Sequence, residues 1–192
     1  MPDYTAHESA FIDDGAQIGA NTRIWHCSHI MSGAIIGENC SLGQNVCVTS
    51  KARIGNGVKI QNNVLVCDEV ILGDFVFCGP GMTFTNVMNP RAAVSRKHEY
   101  KPTVVGEAAT LGANSTILCG IEIGAYAFVA AGAVVTRSVK PFSLVMGNPA
   151  RQTGWMSIQG HKVNLPLTGN GELVQEGYRY LLQNGELSAD KE

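Results

Sequence analysis

Two histidines, His26 and His29, stand three residues apart near the start of the chain. The unperturbed pKa of an imidazole, about 6.5, suits a general base near neutral pH. A zinc site would need three ligands, and the remaining histidines lie elsewhere in the sequence, so we expect no metal here. A lone histidine is more often structural than catalytic, so a structural role for both residues stays open.

Uncharged polar residues recur at a spacing of eighteen positions after the first histidine. Gln44 and Asn62 follow His26 in one series, and two asparagines follow Cys27 in the next. A solvated face usually carries Lys and Glu, so these amides indicate hydrogen-bonding partners for a ligand. The alternative is an amide ladder that stabilises the stacking of the chain on itself, and both interpretations remain open.

The spacing of eighteen follows from a shorter repeat of six residues, which runs from Ile12 to Phe84 and resumes at Val105. Each block begins with an aliphatic residue, its head, and a small or apolar residue follows four places later. A period of six fits neither an amphipathic helix nor a single strand. It predicts a coil of three short parallel strands per eighteen residues, with adjacent coils about 4.8 Å apart. The glycines that directly follow many heads are expected at corners with positive φ.

The repeat is interrupted over residues 85–104. This segment carries Arg91, Arg96, Lys97 and Lys101 against Glu99, a local charge of +3 on an acidic protein. The gap of 21 residues between the flanking heads equals one coil plus three extra residues, which predicts a loop extruded from a corner. Loops on rigid scaffolds commonly carry function. A solvated excursion is the alternative.

Small residues form a second notable stretch after the loop, at Ala130, Ala131 and Gly132. On the outside of a coil they would make a flat wall against which a thin ligand, such as a pantetheine arm, could lie. Arg137, Lys140 and Arg151 follow and could meet phosphates. Taken singly, each of these cations is as readily an ordinary solubilising residue.

The repeat stops at Pro141 and at the Gly-Asn-Pro sequence of residues 147–149, which divides the chain into residues 1–150 and a tail of residues 151–192. In the tail, Glu176-Gly177 and Asn184-Gly185 separate short apolar runs and predict a small hairpin that caps the coil. The competing interpretation is a short amphipathic helix over residues 173–182, which Gly177 disfavours.

Composition narrows the class of protein further. The 192 residues are 45% hydrophobic and carry a net charge of −2, which permits a sizeable core and argues against a general nucleic-acid binder. We see no signal-peptide pattern and no apolar run of membrane-spanning length. The six cysteines form no CxxC pair, so we expect reduced thiols and a cytoplasmic location.

With the repeat, the loop and the GNPAR ending in view, residues 11–155 resemble the left-handed β-helix acyltransferases. Narrower motifs resemble the nucleotide-sugar N-acetyltransferases, and nearest those that act on UDP-2-acetamido-3-amino-2,3-dideoxy-glucuronate for bacterial surface polysaccharide (O-antigen). The motifs are IWHCSHI (24–30), SLGQNVCV (41–48), KIQNNVLV (59–66), FCGPGMTFTNVMNPR (77–91), ATLGANSTILCGIEIG (109–124) and GNPARQTGWMS (147–157).

The resemblance implies an all-β, left-handed parallel β-helix that forms a homotrimer, with acetyl-CoA in a groove between subunits. Asn86, at the root of the loop, is the first candidate to orient the sugar amine, and His26 or His29 would act only if a base is needed. Candidates for the UDP-amino sugar are Gln44, Gln61, Asn62, Asn63, Arg91 and Lys97. Candidates for acetyl-CoA are Gly112, Ala113, Asn114, Ala130, Ala131, Gly132 and Arg151.

Three alternatives remain at this stage. An N-acetyltransferase for a dTDP-linked 3-amino-3,6-dideoxyhexose would share the fold and the loop. A non-catalytic solenoid scaffold would bind no CoA. An O-acetyltransferase would require a clear base, because hydroxyls are poor nucleophiles.

Overall fold

The computed structural model describes residues 3–192 and shows a three-sided coil of parallel strands. Three sheets form its sides, and each strand pairs with the strand one coil above it. The first sheet contains Thr5–Ala6, Arg23–Ile24, Ser41–Leu42, Lys59–Ile60, Phe77–Cys78, Thr110–Leu111, Phe128–Val129 and Ser143–Met146, then Arg151–Met156 and Lys162–Val163 in antiparallel pairing. The second contains Phe11–Ile12, His29–Ile30, Cys47–Val48, Leu65–Val66, Thr83–Phe84, Thr116–Ile117 and Val134–Val135. The third contains Gln17–Ile18, Ile35–Ile36, Arg53–Ile54, Val70–Leu72, Thr103–Val105 and Glu122–Ile123.

The register confirms the predicted all-β, hexapeptide-repeat β-helix. Ile24 pairs with Leu42, and Leu42 pairs with Ile60, at the predicted spacing of eighteen. The heads from Ile24 onward are buried, together with the residues four places later outside the loop. The buried hydroxyls of Thr22 and Ser28 bond to backbone carbonyls, as Thr22 Oγ1 does to Gly37 at 2.9 Å, whereas the Ser115 hydroxyl has no hydrogen-bond partner among residues 3–192. The interior is therefore a continuous aliphatic column.

The glycines that follow the heads have a different role from the one predicted. Positive φ occurs three places after a head instead, for example at Asn63 (φ 61°) and Asn114 (φ 54°). The glycines directly after heads lie where adjacent coils approach most closely: a Cβ on Gly112 would stand 2.5 Å from the backbone nitrogen of Ala131. Close stacking, rather than turn conformation, requires glycine there.

The loop leaves the corner between the second and third sheets after Phe84 and returns at Thr103. Leu72 pairs with Val105, 33 positions later, whereas Ile36 pairs with Ile54 after 18. The predicted count of one coil plus three residues is wrong, because the gap comprises one block of six and an insertion of fifteen. Among residues 3–192 the loop contains the one helical segment, a 3-10 turn at Lys97–Glu99.

The tail forms a three-stranded antiparallel sheet of Gly171–Gln175, Tyr178–Gln183 and Glu186–Lys191. Both predicted turns are present with paired positive φ values, at Glu176-Gly177 and Asn184-Gly185. The tail therefore has two hairpins and not the alternative helix. Its apolar side packs with Trp155 and Phe142 as a second small core at the end of the coil. The boundary at residue 150 stays a prediction.

No helix among residues 3–192 has the length and apolar character needed to cross a membrane. All six cysteines are free thiols. Cys40 and Cys78 lie in the interior, at inward positions of the repeat.

Candidate functional site

One corner of the coil, between the first and second sheets, collects most of the predicted site residues. We call it the first corner; it comprises residues 25–27, 43–45, 61–63, 79–81, 112–114 and 130–132. Backbone hydrogen bonds link its successive rungs, as in Asn45 N–H to His26 O (3.0 Å) and Gly132 N–H to Ala113 O (2.8 Å). The predicted sugar-binding amides and the predicted CoA-binding small residues thus form one line. It extends about 24 Å over five coil steps.

A concave pocket of about 260 Å³ lies at the N-terminal half of this corner. Gly43 forms its floor, and Trp25 and Gln61 stand on the rungs below and above. The remaining wall comes from His26, Ser41, Gln44, Ile60 and Asn62. The structure therefore brings together four predicted residues: His26, Gln44, Gln61 and Asn62. Sequence reasoning did not identify Trp25 as a site residue. Its occurrence at a position that is glycine on several other rungs could have indicated a functional role.

The amides of the first corner are partly used by the fold. The Asn62 side-chain oxygen accepts the N–H of Gln44 at 2.9 Å. The Asn45 amide donates to Oδ1 of Asn63 at 3.1 Å. These contacts favour the amide-ladder alternative for Asn63, whose substrate-binding role stays a prediction. Asn62 and both glutamines retain donors that face the pocket.

The two histidines belong to different surfaces. His26 is exposed at the pocket, and its ring stacks on His7 with centroids 3.5 Å apart. His29 lies on the second sheet, where Nε2 is 3.0 Å from Oδ1 of Asp13. The hydrogen bond from His29 holds the pKa of the Asp13 carboxyl below its usual value. Asp13 therefore fixes the orientation of His29 and leaves its other ring nitrogen available.

The loop is anchored at its root. The backbone carbonyl of Asn86 accepts the N–H of Lys101 at 3.0 Å, and Thr85 Oγ1 accepts the N–H of Cys119 at 2.9 Å. Asn86 consequently lies at the second-to-third corner, a different edge from the first corner. Within one chain the structure does not bring Asn86 into the pocket of His26.

The loop encloses an open concavity of about 510 Å³, whose lining includes Arg91, Arg96, Lys97 and Tyr100. Arg96 is held by Glu99, with Nη1 at 2.9 and 3.0 Å from the two carboxylate oxygens. Arg91 and Lys97 form no ion pair with an acidic residue among residues 3–192. The concavity is suited to an anionic group.

The predicted cations near the end of the coil come together in a smaller pocket of about 220 Å³. Arg137, Lys140 and Arg151 all line it, beside the buried hydroxyl of Ser143. Arg151 also donates to the carbonyl of Ala150 at 2.9 Å. Arg151 therefore lies beyond the last rung of the first corner.

Buried thiols are poor candidates for chemistry at these surfaces. Burial raises the pKa of Cys78 to about 12 and that of Cys67 to about 11. Among residues 3–192 no cluster of three or more His, Cys, Asp or Glu side chains is arranged to hold a metal.

Comparison with known sequences agrees with this architecture. Residues 15–50 and 102–137 match the family described as bacterial transferase hexapeptide (six repeats). Over 182 residues the chain is 42% identical to a dTDP-3-amino-3,6-dideoxy-alpha-D-galactopyranose 3-N-acetyltransferase of Aneurinibacillus thermoaerophilus, covering 95% of this chain and 93% of that protein. The chain belongs to the hexapeptide-repeat nucleotide-sugar N-acetyltransferases. It is thus an acetyltransferase, and the scaffold alternative is wrong.

More distant relatives share parts of the fold. Serine acetyltransferase 4 of Arabidopsis thaliana is 32% identical over 119 residues, covering 60% of this chain and 33% of that protein. The acetyltransferase domain of PglB from Neisseria gonorrhoeae superposes with a TM-score of 0.53 at 19% identity, over 78% of this chain and 57% of that one. A GDP-perosamine N-acetyl transferase from Caulobacter crescentus gives 0.53 at 22% identity, over 79% and 56%. The chain spans little more than half of either solved protein, and these two likenesses concern the fold alone.

Proposed function

We propose that this N-acetyltransferase transfers the acetyl group of acetyl-CoA to the 3-amino group of UDP-2-acetamido-3-amino-2,3-dideoxy-glucuronate. The observation that carries the proposal is the first corner, where neutral amides and a run of small residues lie on one line. The amides are suited to a sugar nucleotide, and the small residues at 112–114 and 130–132 provide a flat wall for a pantetheine arm. The Aneurinibacillus relative, named for 3-N-acetylation of an amino sugar, supports the same reaction.

The reaction needs positioning more than it needs a strong base. The neutral amine attacks the thioester carbonyl, a C–N bond forms, and the tetrahedral oxyanion then expels CoA as a thiolate. The thiolate takes the proton that the amine loses, so atoms and charge balance without a metal. Asn86 would orient the amine through its amide oxygen, and backbone N–H groups of the groove would stabilise the oxyanion.

The position of Asn86 supports the proposed homotrimer. Because Asn86 and the first corner lie on different edges of one coil, a complete site requires the loop of a second copy. Apolar side chains also face outward from the second and third sheets, including Phe11 (69% exposed), Leu65 and Ile71 (both 42%). A closed ring of three copies would cover such faces. Light scattering after size exclusion tests the assembly, and a monomer with full activity would contradict it.

The choice of sugar rests on the loop. A uronate adds a carboxylate to the diphosphate, and Arg91 and Lys97 offer cations without acidic partners. The second candidate, a dTDP-linked 3-amino-3,6-dideoxyhexose, is favoured by the substrate named for the Aneurinibacillus relative. It carries no carboxylate and would leave these cations for the phosphates.

Thiol release from acetyl-CoA separates the candidates when three acceptors are compared: the UDP-3-amino-uronate, the same UDP sugar with a hydroxymethyl group on C5 in place of the carboxylate, and the dTDP-linked 3-amino-3,6-dideoxygalactose. We expect the uronate to give the highest kcat/KM. Arg91→Ala and Lys97→Ala should reduce that preference over the hydroxymethyl sugar. A higher kcat/KM for the dTDP sugar would replace the first candidate by the second, and release with none would refute both.

The role of the histidines has its own test. We expect His26→Ala and His29→Ala to keep kcat within about tenfold of the parent between pH 6 and 9, because the thiolate can accept the proton. Loss of several orders of magnitude in kcat for either variant would identify that histidine as a general base. The expected cytoplasmic location and the link to O-antigen synthesis stay predictions.

A further inference from the structure

Trp25 is an exposed aromatic residue at an outward position of the first corner. It follows the head Ile24, at the position that Gly43, Gly79 and Gly112 occupy on other rungs. Its side chain is 47% exposed and forms one end of the pocket over Gly43. The indole and the neighbouring His26 ring are nearly parallel, with an interplanar angle of 7°. The pocket therefore offers a flat aromatic wall.

The dimensions of the pocket fit a planar group. Trp25 and Gln61 are two coil steps apart, about 10 Å along the axis. Between them lies Gly43, where any Cβ would be 2.5 Å from Oδ1 of Asn62, so this gap cannot be filled by a side chain. A ring stacked on the indole would thus have its polar edge within reach of the amides on the rungs above.

The lining of the pocket is suited to an uncharged part of the substrates. None of the side chains that line the pocket is Lys, Arg, Asp or Glu. Arg23 and Lys59 flank Ser41 on the first sheet, so cations stand beside the pocket and not in it. Gln44, Gln61 and Asn62 offer donors and acceptors without charge. A uracil ring presents one N–H donor and two carbonyl acceptors, which paired amides can satisfy.

We propose that the pocket over Gly43 is the nucleobase subsite and that the uracil of the nucleotide sugar stacks on Trp25. This inference rests on the proposed function and adds to it the order of the substrates along the first corner. The base lies at the N-terminal end of the first corner, acetyl-CoA lies at the Gly112 to Gly132 end, and the amino sugar lies between them. The pocket amides then hydrogen-bond to the base, and the cations of the loop bind the carboxylate of the uronate.

Tryptophan fluorescence gives a direct test, because the chain has two tryptophans and Trp155 is fully buried in the second core. UDP should quench the emission of the parent protein, whereas pyrophosphate, which has no base, should not. The quenching should disappear in Trp25→Phe, in which Trp155 is the remaining indole. CoA without UDP should leave the emission unchanged.

Kinetics supply the second measurement. Trp25→Ala should raise KM for the nucleotide sugar by about tenfold or more, as expected for loss of one base–aromatic stack, and leave KM for acetyl-CoA unchanged. Trp25→Phe should restore much of the affinity because it retains a stacking face. Phe75→Ala, at an exposed aromatic residue on another corner (62% exposed), is the matched control and should change neither constant.

The outcomes distinguish the subsite from the reaction. Unchanged KM for the nucleotide sugar in Trp25→Ala, or quenching by CoA and not by UDP, would overturn the subsite while acetyl transfer still stood. Quenching of Trp25 by UDP without acetyl transfer to any amino sugar would support the subsite and refute the proposed function.

Discussion

Asn63 allows a structural role to be separated from a binding role. The residue has φ 61°, and its Oδ1 accepts the Asn45 amide at 3.1 Å. Asn63→Val removes that hydrogen bond, worth about 0.5–1.5 kcal/mol. It also forces a β-branched residue into the left-handed region, at a cost of about 1–2 kcal/mol. We therefore expect a loss of about 2 kcal/mol in the free energy of unfolding and, for a chain of this size, a Tm lower by about 4–8 °C.

Asn63→Asp is the matched control. Aspartate tolerates the left-handed conformation and keeps an oxygen that can accept from Asn45, so its Tm should fall by less than half as much. Thermal unfolding at one fixed protein concentration measures both, because assembly would make Tm depend on concentration. Both variants should retain near-parental KM for the nucleotide sugar at 25 °C. If Asn63→Asp kept its Tm but lost binding of the nucleotide sugar, Asn63 would be a ligand residue and the amide-ladder argument would be refuted.

Three further predictions use other parts of the coil. Gly112→Ala should lower stability by about 1–3 kcal/mol, since its Cβ would stand 2.5 Å from the Ala131 nitrogen, whereas Gly154→Ala, with Leu144 side-chain atoms no closer than 3.7 Å, should change Tm little. A thiol reagent at pH 8 should modify Cys27 first and Cys47 more slowly, and the four buried cysteines should react only after denaturation; rapid modification of Cys78, whose pKa burial raises to about 12, would contradict the packing. Because the pKa of Asp13 is lowered by His29, its contribution to stability is present above about pH 4 and is lost as the pH falls through the lower folded value. The Tm difference between the parent and Asp13→Asn should therefore shrink in acid, and a difference that grew on acidification would be inconsistent with this sign.

The architecture could be predicted because one repeat determines the strand positions, their pairing and the packing of the interior. Two residues in every six must fill the interior, the head and the residue four places later, so the pattern from Ile24 to Phe84 reveals the strands, the register and the stacking. The corner glycines were misinterpreted because sequence does not distinguish a position that needs positive φ from one that needs close approach. The length of the loop insertion was wrong for a related reason. The gap from Phe84 to Val105 contains one block of six and fifteen inserted residues, but the sequence alone fits equally well to a whole coil of eighteen and three extra residues.

The site was predictable only where it follows the same register. Gln44 and Asn62 could be aligned with His26 by counting in eighteens, and the structure places them on one corner. Ala131 is separated from them by the insertion of fifteen residues, so its place on the same corner could not be counted from the sequence. Asn86 could not be placed in this way, because the path of an extruded loop depends on contacts outside the repeat. His29 keeps the register, pairing with Cys47 on the second sheet, but its contact with Asp13 could not be read from the repeat. Trp25 could not be found by counting because it breaks the outer pattern, whereas counting in eighteens detects only residues that keep it.

The coil separates the demands of folding from those of binding. Inward positions are fixed by packing between coils, so an outward residue such as Trp25 can change with little effect on the strands. Each rung contacts mainly the rungs above and below it, as in other solenoids. A long ligand pair can therefore be recognised piece by piece along one corner, with the base, the sugar and the CoA arm on different rungs. The amine and the thioester must nevertheless meet within about 3.5 Å. A loop that crosses from another edge, carrying Asn86, supplies what the regular coil lacks at that meeting point.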